Sequence, residues 1–319
     1  MSQPSSQQQR LAALALEAGY REDEPLVVGV QLRDEPPTFH AQGLTPTSLV
    51  YAASLSKQVT AACVALLVRQ GALEPDSVLS RWLPRLPAWA EGVRIRQLLH
   101  HTAALPADDE LDGAMPGGGA DRTSRGVIGA LRRFPTLKGE PGHAFAYSNA
   151  GYVCLAEVVA RAAGQALPSF AGERIFAPTA MRYTSFWPGP APAPPGAVPL
   201  TPRHPAPLSL GDGGVWSTAA DLLRWSRALN DDELGVSALM QTPGRLDDGT
   251  VIDYAWGMGV RSHGGHRVYR HGGGWRGLRA MQARIPLLGL SLVLLAVGDD
   301  TERRVELVNG LLDEVTRAA

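Results

Sequence analysis

The sequence predicts an α+β fold: an antiparallel sheet built from both chain ends, flanked by helices, with a mainly helical lobe inserted between its halves. Three observations predict it. Strand-like runs near the start, at 26–33 and 38–43, are answered by alternating runs at 267–271, 277–285 and 289–297 near the end. Between them, residues 72–170 read as helical pieces separated by Gly- and Pro-rich turns. Proline then crowds residues 187–207 so densely that no regular element can form there, which suits a crossing segment, a lid or a connector back to the first lobe. Residues 1–319 are read as one domain of two lobes, a sheet lobe of 1–53 with 208–319 and a helical lobe of 54–207. A cleft between such lobes is a natural ligand site.

The elements follow in order. Residues 10–20 carry an amphipathic helical pattern with Glu17 on the polar side. LVVGVQLR at 26–33 is a strand, DEPP at 34–37 a turn, and 38–43 a returning strand. Residues 58–70 have the apolar spacing of a buried helix that Gly71 ends. PGGGAD at 116–121 reads as a loose turn. STAADLLRWSRALN at 217–230 opens on a Ser/Thr cap, places Asp221 in the first turn, and reads as a helix. A last helix spans about 302–317. No internal repeat is visible.

Composition narrows the class. Of 319 residues, 45% are apolar and 19% charged, ordinary values for a folded globular protein. Thirty basic residues against 31 acidic ones suggest neither a nucleic-acid nor a membrane partner. Only Lys57 and Lys138 are lysines, the other basic residues being arginine. Lysine can surrender its proton and act as a base, whereas arginine effectively cannot. Cys63 and Cys154 are too few for a disulfide framework and sit in apolar contexts, so buried free thiols are expected. The N-terminus lacks the pattern of a signal peptide, and the longest apolar run, 285–298, is short and interrupted by Pro286. A soluble, cytoplasmic protein is the expectation; its oligomeric state is left open.

Three segments could carry chemistry. Ser54-Leu55-Ser56-Lys57 opens the apolar helix, and residues three apart share a helix face, so hydroxyl and amine can meet there. A helix N-terminus favours both a serine losing its proton and the oxyanion that follows. Tyr147-Ser148-Asn149 supplies a phenol that can shuttle a proton and an amide that can donate to a carbonyl, though on its own the pattern is better explained by a half-buried tyrosine beside a helix cap. Arg270-His271-Gly272-Gly273-Gly274-Trp275 lets backbone approach a ligand and present edge N–H groups, or is a plain turn. His263 and His266 lack neighbouring carboxylates or thiols, so neither a metal nor a cofactor is expected. His100 and His101 read as packing residues, and Asp108, Asp109 and Glu110 as a solvated charge run.

The order and spacing of the three segments resemble the serine β-lactamase and penicillin-binding-protein superfamily. The resemblance is to the branch of class C β-lactamases, DD-carboxypeptidases, D-aminopeptidases and esterases of the β-lactamase fold. IRQLLHHTAALP at 95–106, IFAPTAMRYTSF at 175–186 and GDGGVWSTAADLLRWSRAL at 211–229 extend it over about residues 10–315. It implies a β-lactamase/transpeptidase-like fold and an acyl-enzyme on Ser54, with Lys57 and Tyr147 sharing the proton transfers. It further implies that the N–H groups of Ser54 and Gly274 hold the oxyanion and that Asn149 orients a small ester, amide or peptide substrate. His271 stands where many members carry the Lys of Lys-Thr-Gly, and Gly272 where they carry the Thr. Loss of that hydroxyl turns the expectation from β-lactam hydrolysis toward an esterase, amidase or acyltransferase, with Arg276 and Arg279 as substitute anion contacts. His101-Thr102-Ala103-Ala104 replaces His-Thr-Ser-Gly without removing a catalytic group. The expected function is a serine hydrolase that cleaves an ester or amide through an acyl-enzyme on Ser54; acyl transfer by the same mechanism and an inactive binding protein on this fold are the alternatives.

Overall fold

The computed structural model describes residues 5–119, 122–200 and 204–318. A six-stranded antiparallel sheet forms its backbone, in the order β2-β1-β9-β8-β7-β6. These are β1 (Leu26–Leu32), β2 (Thr38–Gln42), β6 (Gly259–His263), β7 (His266–Trp275), β8 (Leu278–Ile285) and β9 (Leu290–Val297). Both chain ends contribute, as the two sets of alternating runs predict, and β1 pairs with β9 from Leu26↔Ala296 to Leu32↔Leu290.

Alternation sorts the strand side chains into two cores. Leu26, Val28, Val30, Leu292 and Leu294 face α1 (Ser6–Glu17) and α11 (Thr301–Ala318), burying Leu14, Leu307 and Leu311. Val27, Val293 and Leu295 face the larger core under α9 (Ala219–Asn230) and the helical segment. Both faces being covered, the strands read as nearly continuous apolar runs. Thr218 caps α9, its side chain accepting from the Asp221 N–H, as the sequence predicts.

The helical segment is built on α2 (Ser56–Arg69) and α7 (Asn149–Ala163), which pack together. Around them lie α3 (Leu79–Trp82), α4 (Ile95–Leu99), α5 (Asp108–Ala114), α6 (Ser124–Leu131) and α8 (Leu167–Ala171). Helix α2 is buried continuously from Ser56 to Leu67, and Gly71, at φ 69°, ends the run. Gln282 on β8 ties the parts: its Nε2 donates to Leu222 O and Ser226 Oγ of α9, both at 2.7 Å, and its Oε1 accepts from Gln58 Nε2 of α2 at 3.0 Å. Cys63 and Cys154 are buried free thiols.

Three features differ from expectation. A second sheet of three short strands, β3 (Val50–Tyr51), β5 (Val215–Ser217) and β4 (Ser185–Phe186) in the order β3-β5-β4, is too short to show in a sequence pattern. Strand β6 has polar residues on both sides and escapes an alternation test. The glycines of 272–274 lie inside an unbroken ten-residue strand, β7, rather than in a turn. Of the loose 116–121 segment, 120 and 121 fall outside the described residues, as do 201–203 of the proline-rich stretch. The described part of that stretch forms no strand or helix. Among the described residues no helix is long and apolar enough to cross a membrane.

Candidate active site

Ser54 does not sit in α2 itself but in a 3-10 turn, Ala53–Leu55, immediately before it. Ala53 has φ 47°, a left-handed conformation that L side chains resist, and Ser56 braces it. The Ser56 hydroxyl donates to Ala53 O at 2.6 Å and accepts the Val215 N–H at 3.0 Å, fixing the turn to β5. Ser54 is thus held half-exposed at the mouth of a buried helix.

Lys57, fully buried, points its Nζ back at the turn. It lies 3.3 Å from Ser54 Oγ, 2.7 Å from Asn149 Oδ1 and 2.8 Å from Asp212 O. The latter two atoms can only accept. In a neutral amine they take both hydrogens, which leaves the lone pair facing the Ser54 hydroxyl.

Asn149 begins α7, and both ends of its amide are engaged. Its Nδ2 donates to Asp108 Oδ2 at 2.9 Å, and its backbone N–H donates to the same oxygen at 3.1 Å. Asp108 is therefore no solvated charge: it seats at the N-terminus of α7, where the helix dipole favours a carboxylate. Arg122, nearly buried, joins it at 3.2 Å and also reaches Asp112, with Asp212 Oδ2 at 3.8 Å. One guanidinium thus links the residues behind both acceptors of Lys57.

Tyr147 presents its ring face to the amine, with the centroid 4.9 Å from Lys57 Nζ. The loop at 101–104 holds this segment: His101 Nδ1 accepts the Ser148 N–H at 3.1 Å, and His101 O accepts the Ala146 N–H at 2.8 Å. The His101 ring also packs on Tyr147 at 4.3 Å. Burial and the neighbouring Lys57 charge drive the His101 pKa well below its ordinary value. The packing role expected of His101 is what it performs.

His271, on β7, is buried with both nitrogens occupied. Nδ1 lies 2.7 Å from Gly272 O, which can only accept, so Nδ1 carries the hydrogen and Nε2 accepts from the Tyr254 hydroxyl at 3.1 Å. Burial first, then the Lys57 charge, lowers its pKa to about 3. The imidazole is neutral and does not replace a fixed lysine cation.

Beyond it the glycine run passes the turn that bears Ser54. A Cβ at Gly273 would stand 2.5 Å from Ala52 O, so only glycine lets β7 come this close to the turn. A Cβ at Gly272 would meet the Arg304 guanidinium at 3.1 Å. Pairing with β6 ends at Arg270, leaving 271–275 without a strand partner on that side among the described residues. Arg279 is engaged by Trp275 O at 2.7 Å and Asp299 at 3.1 Å, and Arg276 by His204 at 3.0 Å. His263 lies apart from this cluster, 2.7 Å from Asp313.

The sequence segments therefore converge: Ser54, Lys57, Tyr147, Asn149, His271 and Gly273 share one neighbourhood. Asp108, Arg122, Asp212 and Tyr254 complete it; the sequence singles out none of them as a site residue, although Asp212 lies within the 211–229 segment.

The family model for beta-lactamase matches residues 21–316. Penicillin-binding protein 4* of Bacillus subtilis (strain 168) is 31% identical over 279 residues, covering 76% of this chain and 59% of that protein. A D-aminopeptidase of Brucella anthropi is 29% identical over 246 residues, covering 72% and 46%. The chain thus spans only about half to three fifths of the length of these curated relatives. D-amino acid amidase from Ochrobactrum anthropi SV3, solved with D-phenylalanine, superposes with a TM-score of 0.81 at 22% identity, over 99% of this chain and 100% of that one. At such identity the likeness speaks for the fold alone. The family match over nearly the full length decides the matter, and the chain belongs to the beta-lactamase family.

Proposed function

We propose that the protein is a serine hydrolase that cleaves small amides or esters through an acyl-enzyme on Ser54. The observation that carries this is the aim of Lys57: its Nζ lies 3.3 Å from Ser54 Oγ beside two acceptor-only partners, which would hold the hydrogens of a neutral amine and leave its lone pair to the hydroxyl. Ser54 Oγ gives its proton to Lys57 Nζ and bonds to the substrate carbonyl carbon. The oxyanion so formed is held by the N–H groups of Ser54 and Gly274. Collapse breaks the bond to the leaving amine or alkoxide, which takes a proton from the Lys57–Tyr147 pair. Water, losing its proton to the same pair, then frees the acid and restores Ser54. The curated relative named as a D-aminopeptidase favours short peptides and amides of D-amino acids as the substrate class. Neutral His271 and glycine at 272 offer no cation or hydroxyl for a β-lactam carboxylate.

Intact-mass spectrometry after exposure to p-nitrophenyl acetate tests the chemistry, and release of ammonia from D-phenylalaninamide tests the substrate class. Wild type should gain one acetyl group with a burst of p-nitrophenol, and Ser54→Ala neither. Equal turnover by Ser54→Ala would sink the mechanism.

A further inference from the structure

Away from Ser54, four exposed arginines line a depression of about 270 Å³ in the helical segment. Arg125 and Arg132 reach it from α6 and its C-terminal end, Arg161 from α7, and Arg85 from the loop after α3. A spacing of seven puts Arg125 and Arg132 on one helix face two turns apart, with Ile128 between them as apolar floor. Glu157, one turn before Arg161, is the single acid of the lining.

Elsewhere many arginines of this chain are engaged. Arg224 pairs with Glu233 at 2.8 Å, Arg227 with Asp231 at 3.1 Å and Arg303 with Glu24 at 2.7 Å. The four around this depression form no ion pair and no side-chain hydrogen bond among the described residues, and Glu157 pairs with none of them. Four positive charges against one negative in a single concavity set up a positive potential that a multivalent anion would neutralise. Guanidinium forks match the oxygens of a phosphate two at a time.

We propose that this depression binds a small oligophosphate, a di- or triphosphate group that is free or borne on a small molecule. A lone carboxylate would leave most of the positive charge uncompensated. The volume equals that of about nine waters, room for a short phosphoryl chain but not for a folded peptide. The site is independent of the acyl chemistry: Glu157 and Arg161 stand roughly 12 and 18 Å along α7 from Asn149.

Isothermal titration of the full chain with sodium tripolyphosphate at low salt tests the site, with inorganic phosphate and citrate as comparators. One saturable site is expected, tightest for tripolyphosphate and weakening as sodium chloride rises. Arg125→Ala combined with Arg161→Ala should weaken binding at least ~10-fold, the scale of a lost charged hydrogen bond. Glu157→Gln should tighten it, and Arg85→Ala, on a loop alone, should weaken it with the fold untouched. ATP binding more tightly than tripolyphosphate would identify a nucleotide-borne phosphate; equal binding would identify the free anion. No saturable binding by wild type, equal binding by the double arginine variant with an unchanged melting curve, or citrate binding as tightly as tripolyphosphate would each overturn the proposal.

Discussion

At the scale of single residues, the site turns on two buried nitrogen bases held in opposite ways. Lys57 has two acceptor-only partners beside the Ser54 hydroxyl, and the proposed chemistry requires an amine that can be neutral. Lys57→Arg keeps charge and length but cannot supply that base, so turnover should fall at least ~10²-fold, as when an acid–base group is lost. Steady-state assays with D-phenylalaninamide check this. His271 is kept neutral, binding a proton only near pH 3 when folded but near 6.5 when unfolded. Its contribution to stability is therefore complete above pH 6.5 and is lost as the pH falls toward 3, with a slope of up to about 1.4 kcal/mol per unit. Melting curves from pH 4 to 8 should show this decline, shallower in His271→Gln. Ser54, Lys57, Tyr147 and Asn149 were legible because short spacings encode them. Asp108, Arg122, Asp212 and Tyr254 were not, because each meets its partner through tertiary structure and each type is common on surfaces. Asp108 stood in a run of three acids, where nothing local distinguishes a buried carboxylate from a solvated one.

At the scale of elements, the decisive encounter is between β7 and the turn bearing Ser54. Three successive glycines weaken a strand on propensity alone, which is why a turn was an equal reading of 272–274. Pairing with β8 from Tyr269↔Arg284 to Trp275↔Leu278 overrides that weakness. The glycine at 273 is required by the neighbour rather than by the strand. Gly273→Ala should displace the turn, costing at least ~10²-fold in turnover, the scale of one lost oxyanion donor, while the sheet persists. Parallel assays and far-ultraviolet circular dichroism distinguish this from unfolding. Helices α2, α9 and α11 and strands β1, β2, β8 and β9 were legible from periodicity, because each buries a regular pattern. Strands of two or three residues, such as β3 and β5, give periodicity nothing to act on.

At the scale of the molecule, the candidate site gathers segments far apart in sequence, and Arg122 is where several meet. It ties α5 to the loop before β5 and, through Asp108, to the start of α7. Arg122→Gln would leave Asp108 and Asp212 without their counter-ion, and breaking a largely buried pair costs about 3–5 kcal/mol. Calorimetry should register a lower melting temperature, and the same variant should lose turnover because both acceptors of Lys57 are loosened. The architecture was legible because both ends of the chain carry alternating runs; the tie was not, since it exists only once the helices have packed. The distance between Ser54 and Gly274 along the chain also has a meaning in time. At ribosomal rates of about 5–20 residues per second, Ser54 is made roughly 10–40 s before the strand that must pass beside it. On the proposed mechanism, Ser54 lacks its second oxyanion donor until β7 has been synthesised and paired, so the nascent chain would stay chemically silent and competence would arrive with its last strands.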